Sequence, residues 1–246
     1  MEDLNKKKKG HLHPMTQMIQ EINTIFSDMG FEFADGPEME SEYYNFDALN
    51  FEKNHPARDM QDTFWVKDKE NTVMRTHTSN VQIRYMENNK PPIRIIVPGK
   101  VFRNEATDAT HEAQFYQVEG LMIDEVTTLG TLKGVLKTFL EKFFSKDVEI
   151  RLRPSYFPFV EPGIEVDMSC FSCEGKGFSI CKSTGWIEVL GAGMVHPNVL
   201  KAGGIDSEKY QGFAFGVGID RLAMLKYGID DVRLLYQGDL RFVNQF

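Results

Sequence analysis

The chain is poor in the features that would place a protein outside the cell or within a bilayer. Three cysteines in 246 residues, an odd number with no export signal, do not make a disulfide framework and fit reduced thiols. No apolar run is long enough to span a membrane, and the Lys6 to Lys9 run is not followed by the apolar segment of a secretory signal. A cytoplasmic protein with no membrane partner is therefore expected. Positive charge is also scarce: 28 lysines and arginines stand against 36 aspartates and glutamates, giving a formal net charge of -8. That excludes binding nucleic acid through a general positive field, so any RNA contact must be local or supplied by a partner. Lys6 to Lys9, with no aromatic or further basic residue to reinforce it, reads as part of a mobile basic tail over residues 1–9.

Hydrophobic residues make up 41% of the chain, enough to bury the core of one large domain over residues 10–246. Met15, Met18, Ile19, Ile22, Ile25, Phe26 and Met29 recur at helical spacing, with Pro14 suited to the first turn and Gly30 to the stop. Phe31 to Phe33 then predicts a short strand ending on the Gly36-Pro37 bend. Val73 to Thr76 predicts another strand, and Ser79 with Gln82 forms a capping-box pattern for the helix that follows. Leu129, Leu132, Leu136, Phe139, Leu140 and Phe143 make a further amphipathic helix, suited to cover one face of a sheet.

Two strands are predicted at Ile93 to Glu105 and Gln114 to Ile123, an antiparallel pair joined by the polar loop Ala106 to Ala113. The two-residue period of a strand puts Arg103 and Glu105 on one face of the first, and Phe115, Gln117 and Glu119 on one face of the second. Such a face makes a poor core, because buried charges are costly unless paired, and a good ligand surface. Gly212 to Arg221, GFAFGVGIDR, reads as a buried strand turning through Gly216 and Gly218 into a helix that delivers an arginine.

GFAFGVGIDR and Val101-Phe102-Arg103-Asn104-Glu105 together resemble motifs 3 and 2 of a class II aminoacyl-tRNA synthetase, and the first helix, strand and Pro37 resemble motif 1, its interface element. Over Gly10 to Phe246 the chain resembles the catalytic domain of the bacterial phenylalanyl-tRNA synthetase alpha-subunit family. GHLHP, NFDALN, HPARD, DTFW, RTHTS, PGKVFRNEATDATHEAQFYQVEG, RPSYFPFVEPG, LGAGMVHPNVL, GFAFG and DLRF all occur in family order. The resemblance implies an α+β fold, an antiparallel sheet flanked by helices, and a two-step reaction. Phenylalanine and ATP give phenylalanyl-adenylate and pyrophosphate, and the acyl group then passes to tRNA(Phe). It also implies a beta-subunit partner in an alpha2beta2 heterotetramer.

Residue roles follow from the same resemblance. Arg103 holds the α-phosphate and the substrate carboxylate, His111 lies over the phosphate tail, and Phe115 and Arg221 sandwich the adenine beside Gly216. Glu105 is set between amino acid and nucleotide. Glu161 is implied as a Mg2+ ligand completed by the partner subunit. His77, Ser79, Gln117 and Glu119 receive the ammonium end of phenylalanine. Phe157, Phe159 and Val160 receive its ring, and Ala214 closes the far end.

Two departures stand out. Family members carry a coiled-coil arm ahead of the Gly10 position that holds tRNA, and here ten residues precede His11, so weak unaided charging of tRNA is expected. Cys170-x-x-Cys173 and Cys181, in an insertion at about residues 169–185, resemble a zinc knuckle in which Phe178 occupies a cysteine position. Three thiolates would leave a Zn2+ site open, and a reduced, metal-free loop is the competing expectation. The alternative to the ligase is a non-charging, synthetase-like paralogue or binding subunit. The joint presence of Arg103, Glu119 and Arg221 favours the ligase.

Overall fold

The computed structural model describes residues 10–53, 63–170, 181 and 183–246. Its frame is a seven-stranded sheet built around the antiparallel pair expected from sequence. In chain order the elements are α1 (Pro14–Asp28), β1 (Glu32–Phe33), β2 (Met39–Ser41), α2 (Glu42–Asn45), β3 (Thr72–Met74), α3 (Ser79–Asn88), β4 (Ile93–Phe102) and β5 (Gln114–Asp124). They continue with α4 (Leu129–Phe144), β6 (Ile150–Phe157), β7 (Val160–Ser169), β8 (Trp186–Val195), α5 (Pro197–Ala202), β9 (Gln211–Gly218), α6 (Ile219–Tyr227) and α7 (Leu240–Val243). The strand order is β1-β4-β5-β9-β8-β7-β6, antiparallel except for the parallel β1-β4 edge, while β2 and β3 form a separate pair.

Local chemistry explains the helix ends. Pro14 occupies the first turn of α1, where a missing N–H costs nothing, and the His13 ring accepts from the Met15 N–H. Thr128 caps α4 through the Thr131 N–H, and the helix closes on Ser145 in the left-handed conformation. The capping box expected at α3 does not form. Thr78 is the N-cap and makes no side-chain cap, its hydroxyl donating to the Val97 carbonyl instead, while Ser79 and Gln82 both turn to the Glu119 carboxylate on β5. The first strand of the central pair ends at Phe102 rather than Glu105. Past the bond from the Arg103 N–H to the Ala113 carbonyl the chains separate into the polar loop.

The two faces of the sheet carry different burdens. Phe213, Phe215 and Val217 of β9 join Val118 and Met122 of β5 in a core with Met18, Ile22 and Phe26 of α1 and Leu132, Leu136, Phe139 and Phe143 of α4. The Phe26 and Phe215 rings stack with centroids 5.4 Å apart. The expectation that the Leu129 helix covers the face away from the polar residues therefore holds. On the other face a second cluster, with Leu49, Phe51, Val97, Leu121, Val195, Val199 and Ala214, leaves part of the sheet uncovered. That opening holds the site.

Gly120 belongs to the helix-covered face, and a Cβ there would sit 2.2 Å from the Phe215 ring. Gly120→Ala should destabilise the fold by about 1–3 kcal/mol, as overpacking of a filled core does. Thermal melting checks this, and an unchanged midpoint would mean that the Phe26–Phe215 stack gives way freely.

Candidate active site

The uncovered face opens into a cavity of about 350 Å³ whose two ends differ in chemistry. At the polar end stands Glu119, almost fully buried. Its register partner on β9 is Gly216, where a Cβ would come 3.1 Å from the Glu119 Cγ, so a glycine lets the carboxylate lie close to the sheet. Three donors hold it: the Ser79 hydroxyl at 2.5 Å, the Thr78 N–H at 3.2 Å and the Gln82 amide at 3.1 Å. Burial nevertheless pushes its pKa up to about 7, outweighing those donors and the nearby Arg103 and Arg75 cations.

His77 lies beside it, also buried. Burial, with the Arg103 charge, lowers its pKa to about 3, so the imidazole is neutral. Its Nε2 is 3.0 Å from the Asn45 carbonyl, which can only accept, so the proton resides on Nε2 and Nδ1 is left as a bare acceptor. That Nδ1 and the Gln117 Oε1 are buried and have no hydrogen-bond partner among the described residues, although both residues line the cavity. Unsatisfied buried acceptors cost free energy, and an incoming donor would recover it. Arg103 completes this end. Its Nε donates to the Thr76 carbonyl, its guanidinium carbon lies 5.1 Å from the centre of the Phe115 ring, and its Nη1 is 3.8 Å from Glu105.

The other end is apolar. The Phe157 and Phe159 rings line it with centroids 5.9 Å apart, and Ala214 contributes its methyl from β9. Leu49 and Phe51 form a wall that sequence reasoning missed. Phe51 lies 6.0 Å from Phe159 and 6.5 Å from His77, nearly parallel to the imidazole. The neighbouring Asn50 fastens this segment to the aromatic turn by donating to the Pro158 carbonyl at 2.7 Å. The available signal was Asn50 itself, a residue tolerant of the positive φ it adopts here, between two apolar positions.

The cavity thus gathers His77, Ser79, Arg103, Gln117, Glu119, Phe157, Phe159, Ala214 and Gly216. It does not gather the rest. Val160 is buried in the adjoining core. Arg221 lines a separate polar cavity of about 480 Å³ with Thr110, Arg151 and Arg153. His111 is exposed on the loop between β4 and β5, its Nδ1 3.0 Å from both oxygens of Asp108, and that contact holds the Asp108 carboxyl well below the usual carboxylate range. Glu161 is exposed and pairs with His196 at 3.3 Å.

Metal-binding donors are sparse here. Among the described residues no group of three histidines, cysteines, aspartates or glutamates could hold an ion. Glu161 alone fits a Mg2+ only in the manner of ions that take one or two carboxylates and complete their shell with water and phosphate oxygens. Cys170 and Cys181 are packed into the hydrophobic core, and Cys173 lies outside the described residues, as does HPARD. No described helix is long and apolar enough to cross a membrane.

A family model described as tRNA synthetases class II core domain (F) matches residues 2–246. The chain is 59% identical over 239 residues to the phenylalanine–tRNA ligase alpha subunit of Alkaliphilus oremlandii (strain OhILAs), covering 97% of this chain and 70% of the relative. It is 58% identical over 239 residues to the same-named subunit of Caldanaerobacter subterraneus subsp. tengcongensis, again 97% and 70%. With that of Bacillus cytotoxicus it shares 59% over 236 residues, 95% of this chain and 68% of the relative. The chain belongs to the class II tRNA synthetase core family and, within it, to the phenylalanine–tRNA ligase alpha subunits.

The raised pKa of Glu119 has a consequence for stability. A carboxyl that binds its proton more tightly in the folded state stabilises at acidic pH, and this contribution is lost as pH rises from its ordinary value of 4.5 through about 7. Glu119→Gln removes that dependence. The melting temperature of the variant relative to the parent should therefore shift in the variant's favour between about pH 5 and pH 8, and a constant difference would show that Glu119 titrates normally.

Proposed function

We propose that this chain is the catalytic alpha subunit of a phenylalanine–tRNA ligase, activating L-phenylalanine with ATP and passing it to tRNA(Phe). One observation carries the substrate assignment. A single cavity of about 350 Å³ joins a buried carboxylate, a guanidinium and two acceptors unpaired among the described residues at one end to a pair of phenylalanine rings at the other. An ammonium matches Glu119, His77 Nδ1 and Gln117 Oε1, the carboxylate matches Arg103, and the phenyl ring matches Phe157 and Phe159. The class uses ATP and Mg2+ in general.

In the activation step a carboxylate oxygen of phenylalanine attacks the α-phosphorus of ATP. A new P–O bond forms as the bond to the β-phosphate oxygen breaks, and pyrophosphate leaves with its electrons. The attacking group is already ionised, so this step needs positioning and positive charge rather than a base. Arg103 is the cation for both reacting groups, fixed by the Thr76 carbonyl and the Phe115 ring. A preorganised donor of this kind acts on charge where it accumulates. Phe115 and Arg221 would take the adenine between them and His111 the outer phosphates. Bound Mg2+ would neutralise phosphate charge, with Glu161 as this chain's ligand and the remaining protein ligands from a partner. In the second step a terminal ribose hydroxyl of tRNA attacks the acyl carbonyl, the bond from that carbon to the phosphate oxygen breaks so that AMP departs with its electrons, and the hydroxyl proton is released.

The relatives are named as alpha subunits, which implies a beta partner, and we infer an alpha2beta2 assembly. Paired with its beta subunit, the chain should catalyse phenylalanine-dependent exchange between ATP and pyrophosphate, and Arg103→Ala should lose on the order of 10²-fold or more. Full exchange in that variant would remove Arg103 from the mechanism. For selectivity, Ala214→Gly should admit para-chlorophenylalanine and change its kcat/KM relative to phenylalanine by roughly 10- to 200-fold, the scale of one methylene-sized change. An unchanged ratio would take Ala214 out of the pocket wall.

A further inference from the structure

Asp220 lies outside the cavity, yet it sits where three parts of the nucleotide side meet. It is the second residue of α6, immediately before Arg221, and is buried. Strand β9 stops pairing with β5 at Gly218, opposite Gln117, so the Tyr116 N–H has no strand residue to bond. The Asp220 Oδ2 takes that place, accepting from the Tyr116 N–H at 2.8 Å. Its Oδ1 accepts from the Tyr236 hydroxyl. Tyr236 follows the short 3-10 turn Val232–Leu235, and the Val232 N–H donates to the Ala109 carbonyl at 2.9 Å, in the loop that carries His111.

We propose that Asp220 and Tyr236 are positioning residues for ATP, fixing Phe115, His111 and Arg221 relative to one another through a single carboxylate. The inference rests on reading those three as nucleotide contacts. Phe115 is one residue before Tyr116 and Arg221 one after Asp220, so the Tyr116–Asp220 bond sets their separation where the ladder can no longer do so. The link from Tyr236 through Val232 to Ala109 ties the phosphate loop to the same point. Burial raises the pKa of the Tyr236 hydroxyl, which keeps it a donor. Among the described residues, the side chains of Ser79, Glu119 and Ala214 make no hydrogen bond to this junction, and Gln117, opposite Gly218, is the phenylalanine-binding residue nearest to it in the chain.

The test uses the chain assembled with its beta subunit and measures KM for ATP and for phenylalanine in pyrophosphate exchange. Asp220→Ala should raise KM for ATP by about 10-fold or more while KM for phenylalanine stays within about 2-fold, as expected when one substrate's contacts are misplaced. Asp220→Asn can still accept from the Tyr116 N–H and donate to the Tyr236 oxygen, so it should stay within about 3-fold of the parent. Tyr236→Phe should raise KM for ATP by an intermediate amount. An unchanged KM for ATP in Asp220→Ala, or both KM values rising together, would overturn the proposal. If Asp220→Ala does not fold, Tyr236→Phe with the parent's KM for ATP would overturn it instead. A parent assembly that shows no phenylalanine-dependent exchange would sink the functional reading, whereas intact exchange with unmoved KM values would sink only this inference.

Discussion

The site depends on keeping one carboxylate out of water. Glu119 is buried on the open face of β5, and a carboxylate so placed is costly unless it is hydrogen-bonded and balanced by charge. The surrounding structure supplies three donors from a single segment about 40 residues away, with Thr78, Ser79 and Gln82 all converging from the start of α3. The balance remains incomplete, which is why the pKa rises to about 7 instead of falling as in a salt bridge. A site left short of positive charge in this way is prepared for a cationic ligand group.

The same division of labour runs through the sheet. Alternation along β9 sends Phe213, Phe215 and Val217 into the helix-covered core and turns Ala214, Gly216 and Gly218 toward the open face. The bulky side supplies rigidity, and the small side leaves room for a ligand to lie on the backbone. Rigid strands and a helix start therefore carry Glu119, Gln117, Ser79 and Ala214, whereas His111 sits on an exposed loop. That arrangement suits recognition of the proposed amino acid by rigid elements and of a phosphate tail by a loop held from the turn before Tyr236.

Legibility in the sequence followed the range of the interaction. The period-two pattern of Phe115, Gln117 and Glu119 and the helical period from Leu129 to Phe143 are local, and both the pairing and the covering helix appeared as expected. Ser79 and Gln82 misled because the spacing of a capping box is also local, while their actual partner is about 40 residues away and offers a buried charge. Phe51 escaped because nothing in its own neighbourhood shows that it will meet Phe159 and His77. Val160 follows the two aromatic rings in sequence, yet the turn sends it into the core. The roles proposed for Arg221, His111 and Glu161 come from the resemblance to a known family, because these residues lie outside the cavity and would act only on bound ligands.

In the proposed function Glu119 becomes the counterion of the substrate ammonium. Calorimetric titration of L-phenylalanine into the assembled enzyme near pH 6.5, in buffers of different ionisation enthalpy, reads this directly. A carboxyl with a pKa of about 7 is mostly protonated there, and pairing with an ammonium ionises it, so binding should release a proton to the buffer, and Glu119→Gln should release none. Binding of parental affinity without proton release, or equal release from the variant, would contradict the account.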